Sequence, residues 1–549
     1  MGPFFTLPRA CPLFLSFMCS AQFVYPPKGF TSTKGAAGVN VRYKRVPHGI
    51  CEPDPKVKSF AGYSDTGPDQ HIFWWFFEAK EDALNKPLTI WLNGGPGASS
   101  MNGIFRGNGP CLLEKKAGAQ APTPYENPYS WTTETNMLFI DQPSLTGLSY
   151  SRPQAGCIND DGDIGPIGPN STCPSGSTPG TFSRNPTDLS EMSTPQAATL
   201  LYKVLQGFMG AFPQYSKRGV ILATESYGGH YGPVFAEYAM KQNEICADGT
   251  VQVPISAVLI INGLFNGLLQ YPAYYKYAVN NPYRVQMMNQ PMAQKMFDQL
   301  FGSGGCMDQL RKCNSATGTD EDCFNADDYC YNAQDLAVQS SKRDEYDIRY
   351  LKPSPFPNRY FEQYLNLPHV REAIGAHVTF TSASNVVFNA FLKTGDTVKN
   401  LSIMEDMKSL VHRGIPVLLL YGDADYICNW VGGETVADSL GIEGFDTAGY
   451  VDVQTPDKAI HGQVKQAGMF SFVRAYQSGH MVPFFKPLLA LEVLKRTIHG
   501  LDIATGRERM GKKTTGSARS TFVEGNGTVH DSVVPEGATY NQSSGSPNS

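Results

Sequence analysis

The sequence predicts an α/β fold built around a doubly wound, mainly parallel sheet. Short apolar runs alternate with loops and helix-like stretches such as Pro195 to Gly210, which is the pattern of strands separated by crossover helices. The 549 residues, 41% of them hydrophobic, suffice for a large core. Polar residues follow directly after several runs, as expected at the carboxyl edge of a parallel sheet. The predicted strands are 72–77, 88–92, 136–140, 219–223 and 257–261.

A sharp strand-turn-helix segment is the most informative local motif. The strand-like run 219–223 leads into Thr224-Glu225-Ser226-Tyr227-Gly228-Gly229, and a helix-compatible segment from Pro233 to Gln242 follows. Such a turn exposes a nucleophilic serine hydroxyl when the residues two before and two after the serine are small. Gly228 and Thr224 meet this condition, although the usual motif has glycine at both positions. The alternative is an ordinary glycine-rich turn that contains a serine.

Two further candidates follow predicted strands later in the chain. The run 415–421 leads into Gly422-Asp423-Ala424-Asp425, and the run from Phe470 to Tyr476 leads into Gln477-Ser478-Gly479-His480. The chain order Ser, Asp, His is that of the α/β-hydrolase triad and differs from both common protease orders. On this pattern alone Asp423 is nearly as good a candidate as Asp425, and His480 could be a surface histidine.

Four sequence blocks together resemble the serine carboxypeptidases related to carboxypeptidase Y. They are WLNGGPGASS from Trp91, TESYGGHYGP from Thr224, GDADYICNW from Gly422 and GHMVP from Gly479. The resemblance covers roughly residues 40 to 500. The sequence Thr-Glu-Ser-Tyr-Gly-Gly of the second block is most similar to that of secreted fungal members. It implies an α/β-hydrolase fold with an inserted disulfide-rich cap, and removal of C-terminal residues from peptides without a metal or organic cofactor. It favours Asp425 over Asp423, because the family's aspartate directly precedes an aromatic-Ile-Cys sequence.

The resemblance also implies the groups that bind the substrate backbone. The oxyanion of the tetrahedral intermediate would be held by the N–H groups of Tyr227, which follows the nucleophile, and of Gly95 in the turn after strand 88–92. Asn93, the Gly94 N–H and a protonated Glu225 would bind the terminal carboxylate. Without the resemblance, the glycines form an ordinary tight turn and Glu225 is a solvated turn carboxylate.

Side-chain pockets are implied on both sides of the nucleophile. Met481 would line the pocket for the last residue of the peptide, whereas Tyr227, Ile427 and Cys428 would line the pocket for the preceding residue. Each of these is also an ordinary core residue type. Arg106 stands where relatives carry an aromatic residue, so we expect it to line the terminal pocket and to disfavour a C-terminal Lys or Arg by like-charge repulsion.

The twelve cysteines indicate an oxidising compartment, and two of them, Cys11 and Cys19, would leave with a signal peptide. The palindromic spacing of four others suits nested bridges, similar to an insert in this family. A zinc site is disfavoured because no CxxC pair occurs. Cys428 matches a free thiol of the family, which leaves Cys246 as a second free thiol unless one pairing is wrong. The predicted bridges are Cys306–Cys330, Cys313–Cys323, Cys51–Cys111 and Cys157–Cys173.

Composition and short motifs favour a secreted protein. The formal net charge of −5 gives no indication of nucleic acid or of an anionic membrane as a partner. Residues 1–21 have the basic, apolar and small-residue pattern of a cleaved signal peptide, and no later run is long enough for a membrane anchor. We expect extracellular location, with the vacuole as the alternative. Four N-glycosylation sequons are consistent with secretion, at Asn170, Asn400, Asn526 and Asn541.

The organisation predicted from these patterns is a hydrolase core interrupted by a cap. Residues 22–270 form the first part of the core, residues 271–365 the cap and residues 366–505 the second part. Residues 506–549 are rich in Gly, Ser and Thr without an apolar pattern, so we expect a disordered tail. The function predicted is a secreted serine carboxypeptidase acting at acidic pH. The alternatives are an acyltransferase or esterase on the same fold, and an inactive secreted binding protein.

Overall fold

A mixed twelve-stranded sheet organises the molecule. The computed structural model describes residues 26–168, 171–184, 190–511, 514–516, 518–520, 524–542 and 545–548. Within these residues the strands are β1 (Thr31–Lys34), β2 (Asn40–Val46), β3 (Ser59–Gly67), β4 (Gln70–Phe77), β5 (Leu88–Leu92), β6 (Cys111–Glu114), β7 (Thr123–Glu126), β8 (Asn136–Ile140), β9 (Arg152–Ile158), β10 (Ile164–Pro166), β11 (Thr178–Arg184), β12 (Val220–Glu225), β13 (Ile255–Ile261), β14 (Arg343–Asp344), β15 (Asp347–Leu351), β16 (Val417–Gly422), β17 (Val451–Gln454), β18 (Ile460–Ala467), β19 (Phe470–Ala475), β20 (Tyr540–Asn541) and β21 (Ser546–Pro547).

The strand order of the large sheet is β1-β2-β3-β4-β8-β5-β12-β13-β16-β19-β18-β17. The central strands from β8 to β19 are parallel, and the strands on either side are antiparallel. Strands β5, β8, β12, β16 and β19 are buried along their whole length, which explains their continuous apolar sequences. Because the central strands are parallel, their carboxyl ends meet at one edge. The predicted α/β-hydrolase architecture is confirmed.

Helices cover both faces of this sheet. Helices α2, α3, α11 and α12 pack on one face, and α9 and α14 pack on the other. The helices of the described residues are α1 (Met101–Gly103), α2 (Thr194–Ala211), α3 (Gly228–Ile245), α4 (Gly267–Val279), α5 (Gln290–Phe301), α6 (Cys306–Cys313), α7 (Asp320–Ser341), α8 (Tyr360–Leu365), α9 (Pro368–Ile374), α10 (Asn385–Thr394), α11 (Ile403–His412), α12 (Trp430–Ser439), α13 (Val482–Phe485) and α14 (Pro487–Ile498).

A helical insertion between β13 and β16 has its own small core. Helices α4 to α7 pack around buried Tyr277, Met296 and Leu310. Helix α7 begins at a capping box in which Thr319 and Asp322 satisfy each other's backbone N–H groups, which fixes where its first turn starts. The hairpin β14–β15 then returns from α7 toward the carboxyl edge of the sheet, where the backbone N–H of Ile348 donates to the carbonyl of Ala424.

Four disulfides join the described cysteines in the predicted pairs. Two of them link α6 to α7 in a nested arrangement, and the others fasten a loop near β6 and the β9–β11 hairpin. Cys428 is a buried free thiol and Cys246 an exposed one, so the cysteine left over in the sequence is Cys246. The bridges are Cys306–Cys330, Cys313–Cys323, Cys51–Cys111 and Cys157–Cys173.

The C-terminal segment differs from the expected disordered tail of residues 506–549. The described part docks on the body of the molecule: Tyr540 packs against Phe484 and Phe485, and Asp531 forms an ion pair with Arg343. A few widely spaced side chains provide this attachment. Because such anchors produce neither helical nor strand periodicity, composition alone indicated a tail without structure.

Some predictions fall at the margins of the described chain. The predicted signal peptide, residues 1–21, and the sequon at Asn170 lie outside the described residues. Asn400 and Asn526 are exposed, and Asn541 is half-buried. Of the helices in the described ranges, none has the length and apolar character needed to cross a membrane.

Candidate active site

Ser226 lies on a strained turn at the carboxyl end of β12. Its φ of 66° is in the left-handed region, which is unusual for a residue with a side chain. The turn is fixed on both sides, because the Ser226 N–H donates to the carbonyl of Ile261 and its carbonyl accepts from the N–H groups of Gly229 and Leu264. Helix α3 begins two residues later. This is the geometry that directs a serine hydroxyl outward from the edge of the sheet.

The departure from the usual glycine at position 224 has a structural explanation. The Thr224 hydroxyl donates to the carbonyl of Gly228 at 2.8 Å, so the two small positions of the turn face each other. A Cβ atom on Gly228 would collide with the Thr224 side chain. The turn therefore tolerates a threonine two residues before the serine because the residue two positions after the serine is glycine.

Asp425 and His480 meet at the same edge of the sheet. The His480 Nδ1 lies 2.7 Å from Asp425 Oδ2, and both side chains are buried. Asp423 points elsewhere and is paired with Arg474, with 3.3 Å between Oδ2 and Nη2. Of the two carboxylates that the sequence offers, Asp425 is therefore the one that contacts the histidine.

Asn262 holds the carboxylate of Asp425, and sequence analysis did not assign it a role. Its Nδ2 donates to Asp425 Oδ2 at 2.8 Å, and its Oδ1 accepts from the Gly422 N–H at 3.0 Å. It directly follows β13, the strand between those that carry Ser226 and Asp425. The available signal was its position: a polar residue directly after a buried strand, as with Ser226.

Cys428 lies beside the Asp425–His480 pair. It lines the same cavity as Ser226, and the ligand atoms of Cys428, Asp425 and His480 lie within 4.8 Å of one another. These atoms could be considered as metal ligands. However, the Asp425–His480 hydrogen bond already occupies one atom of each residue, and burial raises the pKa of the Cys428 thiol well above its ordinary value, which disfavours the thiolate that metals bind.

Two residues that line the cavity with Ser226 have backbone N–H groups without an acceptor in the described structure. Within the described ranges, the amides of Gly95 and Tyr227 have no hydrogen-bond acceptor, and both residues line the cavity that contains Ser226. Gly95 has a φ of 106°, which only glycine adopts readily. A Cβ atom on Gly94 would collide with the backbone nitrogen of Tyr227. Close approach of the two backbones therefore depends on the glycines.

Asn93 and Glu225 form a buried hydrogen-bonded pair beside this turn. The Trp91 indole N–H donates to Asn93 Oδ1 at 2.8 Å. Since an indole can only donate, the Asn93 amide nitrogen must point the other way, and it donates to Glu225 Oε1 at 2.8 Å. Gly103 makes room for the Trp91 indole, because a Cβ atom on residue 103 would collide with the indole ring. The orientation of Asn93 is thus determined by its neighbours.

The surroundings change the protonation of Glu225 and His480. Burial raises the pKa of Glu225 to about 7, against the opposing effects of His480 and Arg106. Burial disfavours a charged His480, but the charge and hydrogen bond of Asp425, together with the charge of Glu225, outweigh it, so that the pKa of His480 is raised. Glu225 and His480 therefore influence each other's titration.

The predicted pocket residues lie on two sides of Ser226. On one side, Arg106 contacts Met481, with 3.3 Å between Nη1 and Sδ, and covers the ring of Phe361. On the other side a cavity of about 390 Å³ includes Ile427 and Cys428. Further residues of that cavity, which sequence analysis did not identify, come from the insertion and from α10: Tyr271, Tyr274, Asp327, Asp328, Tyr331, Glu345, Tyr346 and Phe388.

The β14–β15 hairpin forms a wall against the histidine. The backbone N–H of His480 donates to the backbone carbonyl of Tyr346 at 2.8 Å. The Tyr346 ring meets the imidazole edge-on, with ring centres 5.1 Å apart. Gly479 allows this contact, because a Cβ atom there would collide with the Tyr346 carbonyl. The sequence of the hairpin contains no recognisable motif, so only the fold reveals its place beside His480.

Comparisons with known proteins agree with this geometry. The serine carboxypeptidase family model matches residues 47–500. The chain belongs to the serine carboxypeptidase family. It is 36% identical over 535 residues to "Carboxypeptidase S1 homolog B" of Arthroderma otae, covering 89% of this chain and 80% of the relative. It is 35% identical over 463 residues to "Carboxypeptidase S1" of Penicillium janthinellum, covering 83% and 99%.

A solved structure supports the fold of this serine carboxypeptidase. The chain is similar to Kex1(delta)p, described as a prohormone-processing carboxypeptidase from Saccharomyces cerevisiae, with a TM-score of 0.67 and 23% sequence identity. The likeness covers 83% of this chain and 96% of the Kex1 chain. The family match and the relatives show that the protein is a serine-type carboxypeptidase, a hydrolase that acts on peptides.

Proposed function

We propose that this enzyme is a secreted carboxypeptidase that forms an acyl-enzyme on Ser226 and works best at acidic pH. The Ser226 hydroxyl attacks the last peptide carbonyl while His480 takes its proton. His480 then protonates the leaving amine, which departs as the free C-terminal amino acid. Water hydrolyses the remaining ester by the same proton transfers. Asp425 holds the imidazole with Nδ1 protonated, and Asn262 holds Asp425.

Stabilisation of the oxyanion is assigned to the free backbone amides of Gly95 and Tyr227. Donors fixed in place before the reaction need no reorganisation when negative charge develops on the carbonyl oxygen. The glycine-dependent packing of residue 94 against the Tyr227 amide supports this assignment. No metal or organic cofactor has a step in this mechanism.

The buried Asn93–Glu225 pair is the observation that carries the exopeptidase assignment. A site that binds a terminal carboxylate needs hydrogen-bond donors, and Asn93 provides one through its oriented amide. Glu225 becomes a donor when protonated, and its pKa of about 7 makes it protonated at acidic pH. The Gly94 N–H completes the set. An esterase or acyltransferase with the same triad has no need for such a pair.

Coupling between Glu225 and His480 accounts for the acidic optimum. Above the pKa of Glu225, its charge repels the substrate carboxylate, so substrate affinity falls as pH rises. Below that pKa, the charge of Glu225 no longer raises the pKa of His480, so the imidazole releases its proton more readily. Protonation of Glu225 therefore favours substrate binding and removes one of the charges that keep the imidazole protonated.

Secretion is supported by features that lie apart from the site. Four disulfides are typical of an oxidising compartment, and the exposed Asn400 and Asn526 are accessible to glycosylation. We propose extracellular release after cleavage of residues 1–21, with the vacuole as the alternative. N-terminal sequencing of protein recovered from the culture medium should give a chain starting at Gln22. Retention of Met1 would contradict this proposal.

The enzymatic proposal is tested with three matched substrates. One peptide is offered as the free acid, as the C-terminal amide and as an ester that lacks a terminal carboxylate, and products are read by mass spectrometry. We expect stepwise release of residues from the free acid, with slower attack on the amide. Ser226→Ala should abolish both this release and labelling by a phosphonofluoridate.

Two other outcomes would contradict the proposal. Cleavage of the ester with both peptides intact would indicate an esterase. Absence of labelling at Ser226, together with intact substrates, would indicate a binding protein without catalysis. The Ser226→Ala variant is a suitable control because it removes a single oxygen atom and leaves the packing of the turn unchanged.

A further inference from the structure

The chain around Arg106 packs against the segment that follows His480. Arg106 lies in a π-helical segment, Ile104–Asn108, that follows α1 directly. In this segment Gly107 has a φ of 121°, and a Cβ atom there would collide with the carbonyl of Pro483 in α13. Since α13 begins two residues after His480, the packing of Gly107 places its neighbour Arg106 beside the residue that follows the histidine.

The guanidinium of Arg106 has only weak partners. Its Nη1 contacts the thioether of Met481, its Nη2 lies 3.4 Å from the carbonyl of Asn358, and its carbon lies 4.8 Å from the ring centre of Phe361. The buried Nε has no hydrogen-bond partner, and Arg106 forms no ion pair with any described residue. Arg106 is half-buried, and a guanidinium in such surroundings usually has a carboxylate or several carbonyls around it.

The surroundings of Arg106 are electrically positive under acidic conditions. Burial lowers the pKa of Arg106 to about 10, so the side chain stays charged at acidic and neutral pH. Two carboxyl groups influence it: Glu362, which is ion-paired with Arg359, and Glu225, which is neutral below its pKa of about 7. Near pH 5 neither carboxyl group compensates the positive charge of Arg106.

We propose that Arg106 makes the terminal pocket select peptides whose last residue has an acidic side chain. A Glu or Asp side chain would accept hydrogen bonds from Nε and Nη of Arg106 and would supply the missing counter-charge. This inference rests on the proposed function, because it needs a peptide C-terminus bound beside Met481. It extends that function by naming the class of residue released.

The terminal carboxylate itself is the competing partner for Arg106. In the proposed function that group has three other donors: the Asn93 amide, the Gly94 N–H and protonated Glu225. An acidic last residue brings two carboxylates into one site, and this arrangement needs a second cationic or donor group. Arg106 meets this requirement for the side-chain carboxylate.

The experiment compares peptides that differ only in the last residue, which is Glu, Gln or Lys. It is run at about pH 5.5, where a Glu side chain is ionised and Glu225 is protonated. Glu and Gln have the same shape, so their kcat/KM ratio measures recognition of the charge. For the wild-type enzyme we expect a Glu/Gln ratio of about tenfold or more, and Lys below Gln.

Variants then assign the effect to Arg106. In Arg106→Met the Glu/Gln ratio should fall to about one or below. In Arg106→Lys it should be intermediate, because the charge remains but the planar fork is lost. The double variant Arg359→Met/Glu362→Gln is the matched control: it removes the nearby exposed ion pair as a whole and keeps the net charge near Arg106, so its Glu/Gln ratio should match wild type.

Each remaining outcome overturns the inference. A wild-type Glu/Gln ratio near one would overturn the inference by itself. The inference can therefore be tested even if Arg106→Met does not fold. An unchanged ratio in a folded Arg106→Met that cleaves all peptides more slowly would show that Arg106 binds the terminal carboxylate. If wild-type enzyme releases none of the three residues, the proposed function itself fails, which is a distinguishable result.

Discussion

The two sides of the cleft around Ser226 differ in charge and in origin. The terminal side contains the cation Arg106, carried by a segment that directly follows a signature block of the family. The opposite side contains the carboxyl groups of Asp327, Asp328 and Glu345 among aromatic rings, mostly contributed by the insertion between β13 and β16. The proposed reaction machinery thus lies at the ends of core strands. We expect a core loop to set the preference for the last residue, and the insertion to set the preference for the preceding one.

The proposed mechanism requires that Asp425, and not Asp423, orients His480. Asp425→Asn should lower kcat by about 10⁴-fold with the fold intact, because an amide favours the wrong imidazole tautomer. Asp423→Asn should instead weaken the buried contact with Arg474, reducing the free energy of unfolding by about 3 kcal/mol with little loss of kcat. Steady-state kinetics and thermal unfolding of both variants measure this contrast. The reverse assignment of effects would mean that Asp423 is the catalytic acid.

The carboxyl groups on the second side give a smaller effect that depends on pH. Burial raises the pKa of Asp327 to about 6, so Asp327 is charged above that pH and neutral below it. A basic penultimate side chain should therefore be preferred over Met by about tenfold near pH 7, and this preference should decrease as pH falls through about 6.

Substitution at Asp327 sharpens this expectation. Asp327→Asn should remove the pH dependence of the Lys/Met ratio at the penultimate position. Asp335→Asn is the matched control, because Asp335 lies on the same helix but outside the cavity. A wild-type ratio that does not change between acidic and neutral pH would show that the second side does not recognise charge through Asp327.

The same division between core and insertions explains what sequence could predict. Strands β5 and β8 were predicted with their observed bounds, because continuous apolar runs are characteristic of buried parallel strands. Ser226, Asp425 and His480 could be proposed as the triad because each follows such a run and lies in a characteristic block, and the fold brings Asp425 and His480 into contact. Asn262 shares the first property but not a recognised role, and its contact with Asp425 emerges only from the fold.

Other features depend on contacts that a local pattern does not encode. Tyr346 reaches His480 because a hairpin folds back over the edge of the sheet, and Tyr540 anchors the C-terminal segment by a single aromatic contact region. The lack of an ion partner for Arg106 among described residues is likewise a property of the assembled pocket. Periodicity describes the faces of helices and strands, and it contains no information about such long-range neighbours.

The central claim is that a protonated Glu225 recognises the terminal carboxylate, and the KM of a free-acid peptide as a function of pH tests it most directly. For wild type, KM should rise about tenfold between pH 6 and pH 8, since Glu225 loses its proton with a pKa of about 7. Glu225→Gln keeps a donor without a charge, so its KM should remain nearly constant over this range. An ester without a terminal carboxylate serves as the control, and its KM should be insensitive to the substitution. Identical KM profiles for wild type and Glu225→Gln on the free-acid peptide would contradict the account.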